Sequence, residues 1–210
     1  MNLIVLAKAP SPGRSKTRLC PPCTPEQAAG LAEAALSDTL AAVAAAPAAR
    51  RVLVLDGEPG EWLPAGFEVV AQRGGGLDER LANAFDDVGG PALLIGMDTP
   101  QVTPGLLDSA ARRLAAADAV LGPALDGGFW ALGLNRPDAA LLVGVPMSVE
   151  GTGRLQHARL VAAALSVDVL DPLQDVDRIE DARAVAASAP QGRFAARLRS
   201  VDGAARGAAA

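Results

Sequence analysis

The chain has 210 residues and a formal net charge of −5, and half of its residues are hydrophobic, so it is long and apolar enough for one well-buried domain. This composition excludes wholesale disorder, and the acidic balance disfavours nucleic acid as the main partner, since nucleic-acid binders carry a basic face. No continuous apolar run reaches the roughly 18 residues of a membrane-spanning helix, and the apolar start lacks the features of a signal peptide, so we expect a cytoplasmic protein without a membrane span.

Apolar runs of strand length alternate with helical patterns along the chain. The predicted strands cover residues 2–7, 51–55, 67–71, 92–96, 118–122 and 128–133. The predicted helices cover residues 24–46, 77–87, 103–116, 152–165 and 177–187. This alternation predicts an α/β fold with a mostly parallel central sheet flanked by helices. We expect one domain over residues 1–189, followed by a C-terminal tail over residues 190–210 that frays.

Histidine and cysteine are too scarce for several mechanisms. The single histidine, His157, lies in a helical pattern and is interpreted as an ordinary surface or core residue rather than a catalytic base. Two cysteines and one histidine do not make a usual zinc site. The pair Cys20 and Cys23 has redox spacing, but two small apolar residues at a proline turn explain it as well, and whether the two thiols pair stays open.

The loop after the first strand holds both lysines of the chain. In a mostly parallel sheet, ligands bind at the carboxyl ends of the strands, and the segment from Lys8 to Arg18 leaves the first strand there. The cations Arg14, Lys16 and Arg18 alternate along it and are suited to the oxygens of a diphosphate. The loop is neither a Walker loop nor a dinucleotide-binding fingerprint, and a merely solvated basic loop is the alternative.

Three further loops follow predicted strands at the same edge. Asp98 can bind Mg²⁺ together with phosphate oxygens, or it can cap the turn that follows. The sequence Asp126-Gly127-Gly128 permits close approach of a ligand, or it forms a tight hairpin turn. The glycines at 74–76 let the backbone contact a flat base, or they form a flexible connection.

Taken together, these motifs resemble a known family. They are the run Ala7–Leu19, Gln72 with Gly76-Leu77 and Arg80-Leu81, Gly96–Pro100, Gly122–Ala124 with Asp126–Gly128, and Asp175–Asp177. The chain resembles bacterial glycosyltransferase-like proteins of the nucleotide-diphospho-sugar transferase superfamily, which has the GT-A fold. It is more distantly similar to phospholactate guanylyltransferases and molybdenum-cofactor nucleotidylyltransferases. The resemblance covers about residues 3–187.

The resemblance implies a single-domain GT-A fold and roles for particular residues. Asp98 would hold a divalent cation, Mg²⁺ or Mn²⁺, Asp126 would face the acceptor or the metal, and Lys16 would act with Asp126 in catalysis. The acceptor region would comprise Gly127, Gly128, Met147 and Ser148. The residues implied in nucleotide binding are Lys8, Ala9, Pro10, Gly13, Lys16, Arg18, Gln72, Gly76 and Arg80.

The chain departs from the family pattern in the acceptor region. After Pro146 the family usually has Trp-Ser-Thr, whereas this chain has Met147-Ser148-Val149, and Gln156 stands where a threonine is expected. The acceptor can therefore differ from that of relatives, or the activity can be lower.

Three functions follow as hypotheses. The first is metal-dependent glycosyl transfer from a nucleotide-diphospho-sugar to a small acceptor. The second is nucleotidylyl transfer, in which a phosphorylated substrate attacks a nucleoside triphosphate and pyrophosphate leaves. The third is a non-catalytic nucleotide-binding module. The sequence does not identify the base, the sugar, the acceptor or the oligomeric state.

Overall fold

The computed structural model describes the backbone of residues 1–208 and the side chains of residues 1–204. Its seven strands are β1 (Asn2–Lys8), β2 (Arg51–Asp56), β3 (Glu68–Ala71), β4 (Ala92–Gly96), β5 (Ala119–Pro123), β6 (Phe129–Leu134) and β7 (Val167–Val169). Its six α-helices are α1 (Pro25–Ala45), α2 (Leu77–Val88), α3 (Pro104–Ala116), α4 (Thr152–Ala162), α5 (Ile179–Ser188) and α6 (Arg193–Ala208). The elements predicted from the sequence are all present, and most boundaries agree within one or two residues; α4 ends three residues early.

The strands form one sheet in the order β3-β2-β1-β4-β6-β5-β7. The pairs β2–β3, β1–β2, β1–β4 and β5–β7 are parallel, and β6 runs antiparallel to β4 and to β5. The hairpin from β5 to β6 turns at Asp126–Gly128, as the sequence predicts. Because β6 is reversed, its first residue, Phe129, lies at the same edge as the carboxyl ends of the parallel strands.

Helices cover both faces of the sheet because alternate residues of each central strand are apolar and buried. On one face, Val5 and Ile95 belong to a core cluster with α1 and α3. On the other face, Ile4 and Leu94 belong to a cluster with α2 and α4. This confirms the predicted α/β fold with a mostly parallel sheet between helical layers.

Helix α1 is apolar on nearly all sides because it lies between the sheet and a further helical layer. Leu36 and Leu40 contact the sheet-side core, whereas Ala28 and Leu31 face α5 and α6. Its mean hydropathy of 1.3 and its 21 residues make it the one helix in the described part of the chain that passes a membrane-span test by length and composition. The sequence predicts this helix over residues 24–46, and 56% of its apolar 18-residue stretch is buried inside the protein, as in a core helix.

The prediction of fraying beyond Pro190 is wrong. Residues Arg193–Ala208 form helix α6, which lies along α1. Phe194, Leu198 and Val201 are buried in the cluster they share with α1 and α5. The sequence did not indicate this helix because it is rich in Arg, Ala and Gly. It has only about one large apolar residue in each turn. The last two residues, 209 and 210, lie outside the described part.

We expect the docking of α6 to contribute strongly to stability. Phe194 is 2% exposed, so Phe194→Ala should lower the free energy of unfolding by about 3–5 kcal/mol, through lost burial and the cavity left behind. Urea unfolding followed by circular dichroism measures this change. Arg199→Ala, an exposed change on the same helix, is the matched control and should stay within about 0.5 kcal/mol of the parent. Equal stability of the two variants would contradict the docking.

Candidate functional site

The loop between β1 and α1 is fixed at several points. The amide of Ala9 donates to Asp56 O at 2.9 Å, and Ala9 Cβ packs so closely on Gly57 that a Cβ there would lie 2.7 Å away. Further along, the Ser11 amide donates to Ser15 Oγ at 3.0 Å. Leu19 ends a 3₁₀ turn and is fully buried. The loop therefore holds its cations on a defined backbone, rather than on a freely solvated one.

Lys16 and Asp98 form the ion pair at the centre of the site. Lys16 Nζ lies 2.7 Å from Asp98 Oδ1 and also donates to the carbonyl of Val176. The Lys16 side chain is only 12% exposed, and its backbone is left-handed with φ of 51°. β1 and β4 are neighbouring parallel strands, so both residues emerge from the same edge of the sheet. Asp98 therefore faces a cation instead of capping the turn that follows it.

A cavity of about 390 Å³ opens beside this pair. Its charged lining consists of four cations and two carboxylates: Lys8, Arg14, Lys16, Arg18, Asp98 and Asp177. The structure thus brings together the predicted phosphate-binding residues of the first loop and the predicted metal residue. Gly13, with φ of +73°, lies at the exposed turn of the same loop, and Pro10 precedes it.

Three carboxylates of the protein itself pair with three of these four cations. Besides Asp98, Asp177 pairs with Arg18, whose Nη1 lies 3.0 and 3.1 Å from the two carboxylate oxygens. Asp56 Oδ2 lies 3.8 Å from Lys8 Nζ and 3.3 Å from Arg80 Nη1. An anionic ligand therefore competes with these carboxylates for the same donors.

Gln72 is held by backbone groups at the ends of the strands. Its Nε2 donates to Ala7 O at 2.7 Å and to Val54 O at 3.2 Å, and its Oε1 accepts from Arg80 at 3.3 Å. The side chain thus spans two strands. Its predicted place near a base stays a prediction. Of the two other residues given the same role, Gly76 before α2 is exposed and the Arg80 side chain is half-buried.

Asp126 lies in the hairpin turn at the other side of the edge. Its Oδ1 accepts from the amide of Gly128 at 2.7 Å, which fixes the turn, and its second oxygen has no partner among the described residues. The amide of Gly153 in α4 donates to Gly127 O at 2.8 Å, and a Cβ on Gly153 would collide with the carbonyl of Gly128. The turn and the start of α4 therefore form one packed unit.

The segment before α4 completes this unit. Met147 is partly buried against the core on the α2 and α4 face. Ser148 has φ of +58°, a left-handed conformation that only a constrained segment imposes on serine. The Thr152 hydroxyl donates to the carbonyl of Val149 at 2.8 Å, and the Pro146 carbonyl, 3.1 Å away, is its alternative acceptor, so the segment is closed by its own hydrogen bonds.

Asp175 is an acidic residue that sequence reasoning left without a role. Its burial and the charge of Asp126 raise its pKa to about 6, while Lys16 opposes this shift. Its Oδ1 is buried and has no hydrogen-bond partner in the part of the chain that the structure describes. The neighbouring Val176 amide donates to Asp98 O at 2.9 Å, which places the segment 175–177 beside the Lys16–Asp98 pair.

Of the other acidic residues near the site, the sequence could have indicated Asp56 but not Asp175 or Asp177. Asp56 ends β2 at the carboxyl edge, so the rule that selected Asp98 would have selected it as well. Asp175 and Asp177 lie in an irregular segment before α5, where no periodicity marks them. Only the tertiary fold brings these two to the site.

The remaining candidates do not join the site. Cys20 and Cys23 are both free thiols, and Cys23 is buried in the cluster of α1, α5 and α6, where burial raises its pKa. A raised pKa opposes formation of the thiolate that redox chemistry needs.

His157 is a half-buried residue of α4. Within residues 1–208, no three His, Cys, Asp or Glu side chains are close enough together to hold a metal ion.

Comparison with families and with solved structures gives consistent relatives. Residues 39–149 match the family described as "Uncharacterized protein conserved in bacteria (DUF2064)". A candidate nucleotide-diphospho-sugar transferase from Desulfovibrio desulfuricans G20 is similar in structure, with a TM-score of 0.85 and 26% identity over 96% of this chain and 95% of that one. No curated protein sequence matches this chain.

Two more distant structures share the fold. Rv0371c from Mycobacterium tuberculosis H37Rv has a TM-score of 0.57 and 21% identity over 88% of this chain and 97% of that chain. The 2-C-methyl-D-erythritol 4-phosphate cytidylyltransferase from Thermus thermophilus has a TM-score of 0.55 and 17% identity over 89% of this chain and 98% of that one. These likenesses confirm the nucleotide-diphospho-sugar transferase fold expected from the sequence.

The raised pKa of Asp175 predicts a pH-dependent effect on stability. An aspartate with a folded pKa of about 6 and an ordinary value of 3.8 favours folding in its protonated form. This contribution is complete below about pH 4 and is lost as the pH rises through about 6. Without metal ions, Asp175→Asn should therefore melt at nearly the parent temperature at pH 4 and about 5 °C higher at pH 7.5.

The measurement is thermal unfolding of both proteins in chelator across that pH range. Asp171→Asn, an exposed aspartate four residues earlier, is the matched control and should show no difference that grows with pH. A flat or falling difference for Asp175→Asn would contradict the buried carboxyl.

Proposed function

The chain belongs to the bacterial family DUF2064 and has the fold of nucleotide-diphospho-sugar transferases, and we propose that it transfers a glycosyl group from a nucleotide-diphospho-sugar to a small acceptor. The cavity with four cations beside the Lys16–Asp98 pair carries this proposal. A diphosphate needs donors of this kind in a water-accessible recess, and Arg and Lys supply both charge and hydrogen bonds. The similarity to the candidate transferase from Desulfovibrio desulfuricans over nearly the whole chain supports it.

The carboxylates at this edge are suited to a divalent cation such as Mg²⁺ or Mn²⁺. The buried Asp175 Oδ1 lacks a partner among the described residues, and the Asp126 charge already disfavours a second negative charge beside it, so a cation relieves both conditions. Such ions bind through one or two carboxylates together with phosphate oxygens, which fits Asp98 in a site where the described residues offer no three protein ligands. The cation would offset negative charge on the leaving diphosphate. A distant relative by fold, Rv0371c, was solved in complex with manganese.

In the proposed transfer, different side chains of the protein stabilise the leaving group, accept the proton and bind the base. Lys16 and Arg18 stabilise the diphosphate as the bond between the sugar carbon and the phosphate oxygen breaks and the electron pair leaves with the nucleoside diphosphate. The acceptor oxygen forms the new bond to the sugar carbon. Asp126, whose second oxygen is not used in the turn, takes the proton of the acceptor hydroxyl. Gln72, Gly76 and Arg80 lie at the end of the site where the base would bind, with Lys8, Ala9, Pro10 and Gly13 in the loop beside it.

Nucleotidylyl transfer is the second candidate because the same four cations suit a triphosphate. Two fold relatives act with cytidine nucleotides: the Thermus enzyme named above, and a CMP-ketodeoxyoctonate synthetase, at 13% identity, that was solved with CTP. A phosphorylated substrate would then attack the α-phosphate, and pyrophosphate would leave.

The non-catalytic alternative retains only the binding step. The cytoplasmic location also stays a prediction.

We expect Lys16→Ala to weaken nucleotide binding by about 10- to 100-fold, because a charge-assisted donor is lost and Asp98 is left unpaired beside the phosphates. Thermal shift and calorimetry with a panel of nucleoside diphosphates and triphosphates, with and without Mn²⁺, measure this. Arg112→Ala, an exposed change on α3 outside the cavity, is the matched control. Unchanged affinity in Lys16→Ala would remove the phosphate role of the loop, and no shift with any nucleotide would refute all three functions.

The products separate the two enzymatic candidates. With nucleotide sugars and Mn²⁺, we expect slow release of nucleoside diphosphate, and no pyrophosphate release from nucleoside triphosphates with phosphorylated acceptors. Chromatography of nucleotides measures the nucleoside diphosphate, and a pyrophosphatase-coupled phosphate assay measures the pyrophosphate. Asp126→Asn should lower the turnover at least tenfold and leave nucleotide affinity within about twofold. Pyrophosphate release at a higher rate would favour the nucleotidylyltransferase instead.

A further inference from the structure

The carboxyl edge of the sheet has two chemically different halves. The cations of the first loop lie over β1 and its neighbours, whereas residues 124–128 and 143–151 lie at the side of β5, β6 and α4. These two segments, which we name the acceptor segments, touch each other. The amide of Gly153 bonds to Gly127 O, and a Cβ on Gly127 would lie 2.9 Å from the amide nitrogen of Gly151.

Large hydrophobic side chains are exposed on the acceptor segments. Leu125 is 63% exposed immediately before Asp126, Val149 is 49% exposed immediately before Glu150, and Val143 is exposed as well. Leu77 is exposed as well, and its neighbour Asp78 accepts from the Gly144 amide at 2.8 Å, which joins the start of α2 to the second segment. Three of these exposed side chains lie on two segments that contact each other at Gly127 and Gly151, and exposed apolar surface at such a place is suited to an apolar ligand.

Hydrogen bonds fix the backbone that carries Leu125 and Val149. The Leu125 amide donates to Leu173 O at 3.0 Å. The Val149 amide donates to Thr152 Oγ1 at 3.2 Å, and the Val149 carbonyl accepts from the Thr152 hydroxyl and amide. Fixed apolar side chains bind a ligand without the entropy cost of ordering a flexible loop.

The charges of the acceptor segments are all negative. Asp126 and Glu150 are their ionisable residues, and neither segment contains a lysine or an arginine. The next cation along the chain is Arg154, one turn into α4, whose guanidinium is exposed and lies near Gly151. Arg159 of α4 also reaches the second segment, but its Nη1 already donates to the carbonyls of Ala140 and Val143. A phosphorylated acceptor would therefore bind against two carboxylates with Arg154 as the guanidinium left for it, which is unfavourable.

We propose that the acceptor of the transfer is an uncharged hydroxyl compound with an alkyl or aryl body. The apolar body covers Leu125 and Val149, and its hydroxyl lies toward Asp126. Asp126 takes the hydroxyl proton as the oxygen bonds to the sugar carbon and the nucleoside diphosphate leaves. This inference rests on the proposed glycosyl transfer, and it specifies the acceptor that such a transfer uses.

The test compares binding of three probes by calorimetry below the micelle concentration: n-octyl β-D-glucopyranoside, methyl β-D-glucopyranoside and octyl phosphate. We expect the octyl glucoside to bind at least tenfold tighter than the methyl glucoside, because the chain covers the exposed apolar side chains. Octyl phosphate should bind more weakly than octyl glucoside. Leu125→Ser and Val149→Ser should each weaken octyl glucoside binding about fivefold or more.

Val161→Ser is the matched control, since Val161 is 52% exposed on the last turn of α4, outside the acceptor segments. It should change the octyl glucoside affinity less than twofold. Equal affinity for the octyl and methyl glucosides, an equal loss in Val161→Ser, or tightest binding of octyl phosphate that Arg154→Ala abolishes would overturn the proposal.

Nucleotide binding distinguishes a failure of the acceptor proposal from a failure of the proposed glycosyl transfer. Thermal shifts with nucleoside diphosphates should be the same in Leu125→Ser, Val149→Ser and the parent protein. Nucleotide binding without octyl glucoside binding refutes the acceptor proposal alone. Octyl glucoside binding with the predicted losses, but with no nucleotide shift, refutes glycosyl transfer and leaves the apolar ligand site in place.

Discussion

The ion pair between Lys16 and Asp98 links the parts of the molecule on which the site depends. It joins the loop after β1 to the end of β4, and through Val176 it also holds the segment that carries Asp175 and Asp177. The pair forms because β1 and β4 are adjacent and parallel, with Leu6 opposite Gly96, so that both chains leave the sheet at one edge. Such a half-buried pair adds little stability after desolvation. Its consequence is positional: a cation and a carboxylate are held next to a cavity that can admit a phosphate.

The same arrangement pairs three of the four cavity cations with carboxylates of the protein itself. Lys16 is paired with Asp98, Arg18 with Asp177, and Lys8 and Arg80 with Asp56. A nucleotide must therefore exchange one set of partners for another, and the carboxylates that it displaces are left with unbalanced charge. A divalent cation on Asp98, as proposed, would compensate for this charge because it would replace the lost positive partner. On that proposal, the binding of metal and the binding of nucleotide would be coupled.

Much of the fold could be predicted because strands that are buried on both faces are continuous apolar runs in the sequence. Residues 2–7 and 92–96 are clear examples, and the rule about carboxyl ends then selected Lys16, Asp98 and Asp126. Helix α6 could not be predicted, because Phe194 and Leu198 are sparse apolar residues among Arg and Ala, and their partner surface on α1 is known only in the fold. Asp175 was named only within the motif Asp175–Asp177 and was given no role, because its burial comes from tertiary packing and not from its neighbours in sequence. The fold is confirmed by the solved relatives, whereas the roles of the site residues stay predictions.

The two halves of the carboxyl edge are also built differently, and this bears on how function varies on one fold. The half proposed to bind the nucleotide is formed by the ends of β1, β2 and β4, where strand register fixes the backbone, and by the loop that follows β1. The acceptor half is formed by a hairpin turn and an irregular segment before α4, fixed by local hydrogen bonds such as those of Asp126 and Thr152. Substitutions there alter the surface without disturbing the sheet, because loops tolerate change better than the elements they connect. Met147-Ser148-Val149, where this chain departs from the family pattern, lies in this half, so the acceptor is the property in which this protein is expected to differ from its relatives.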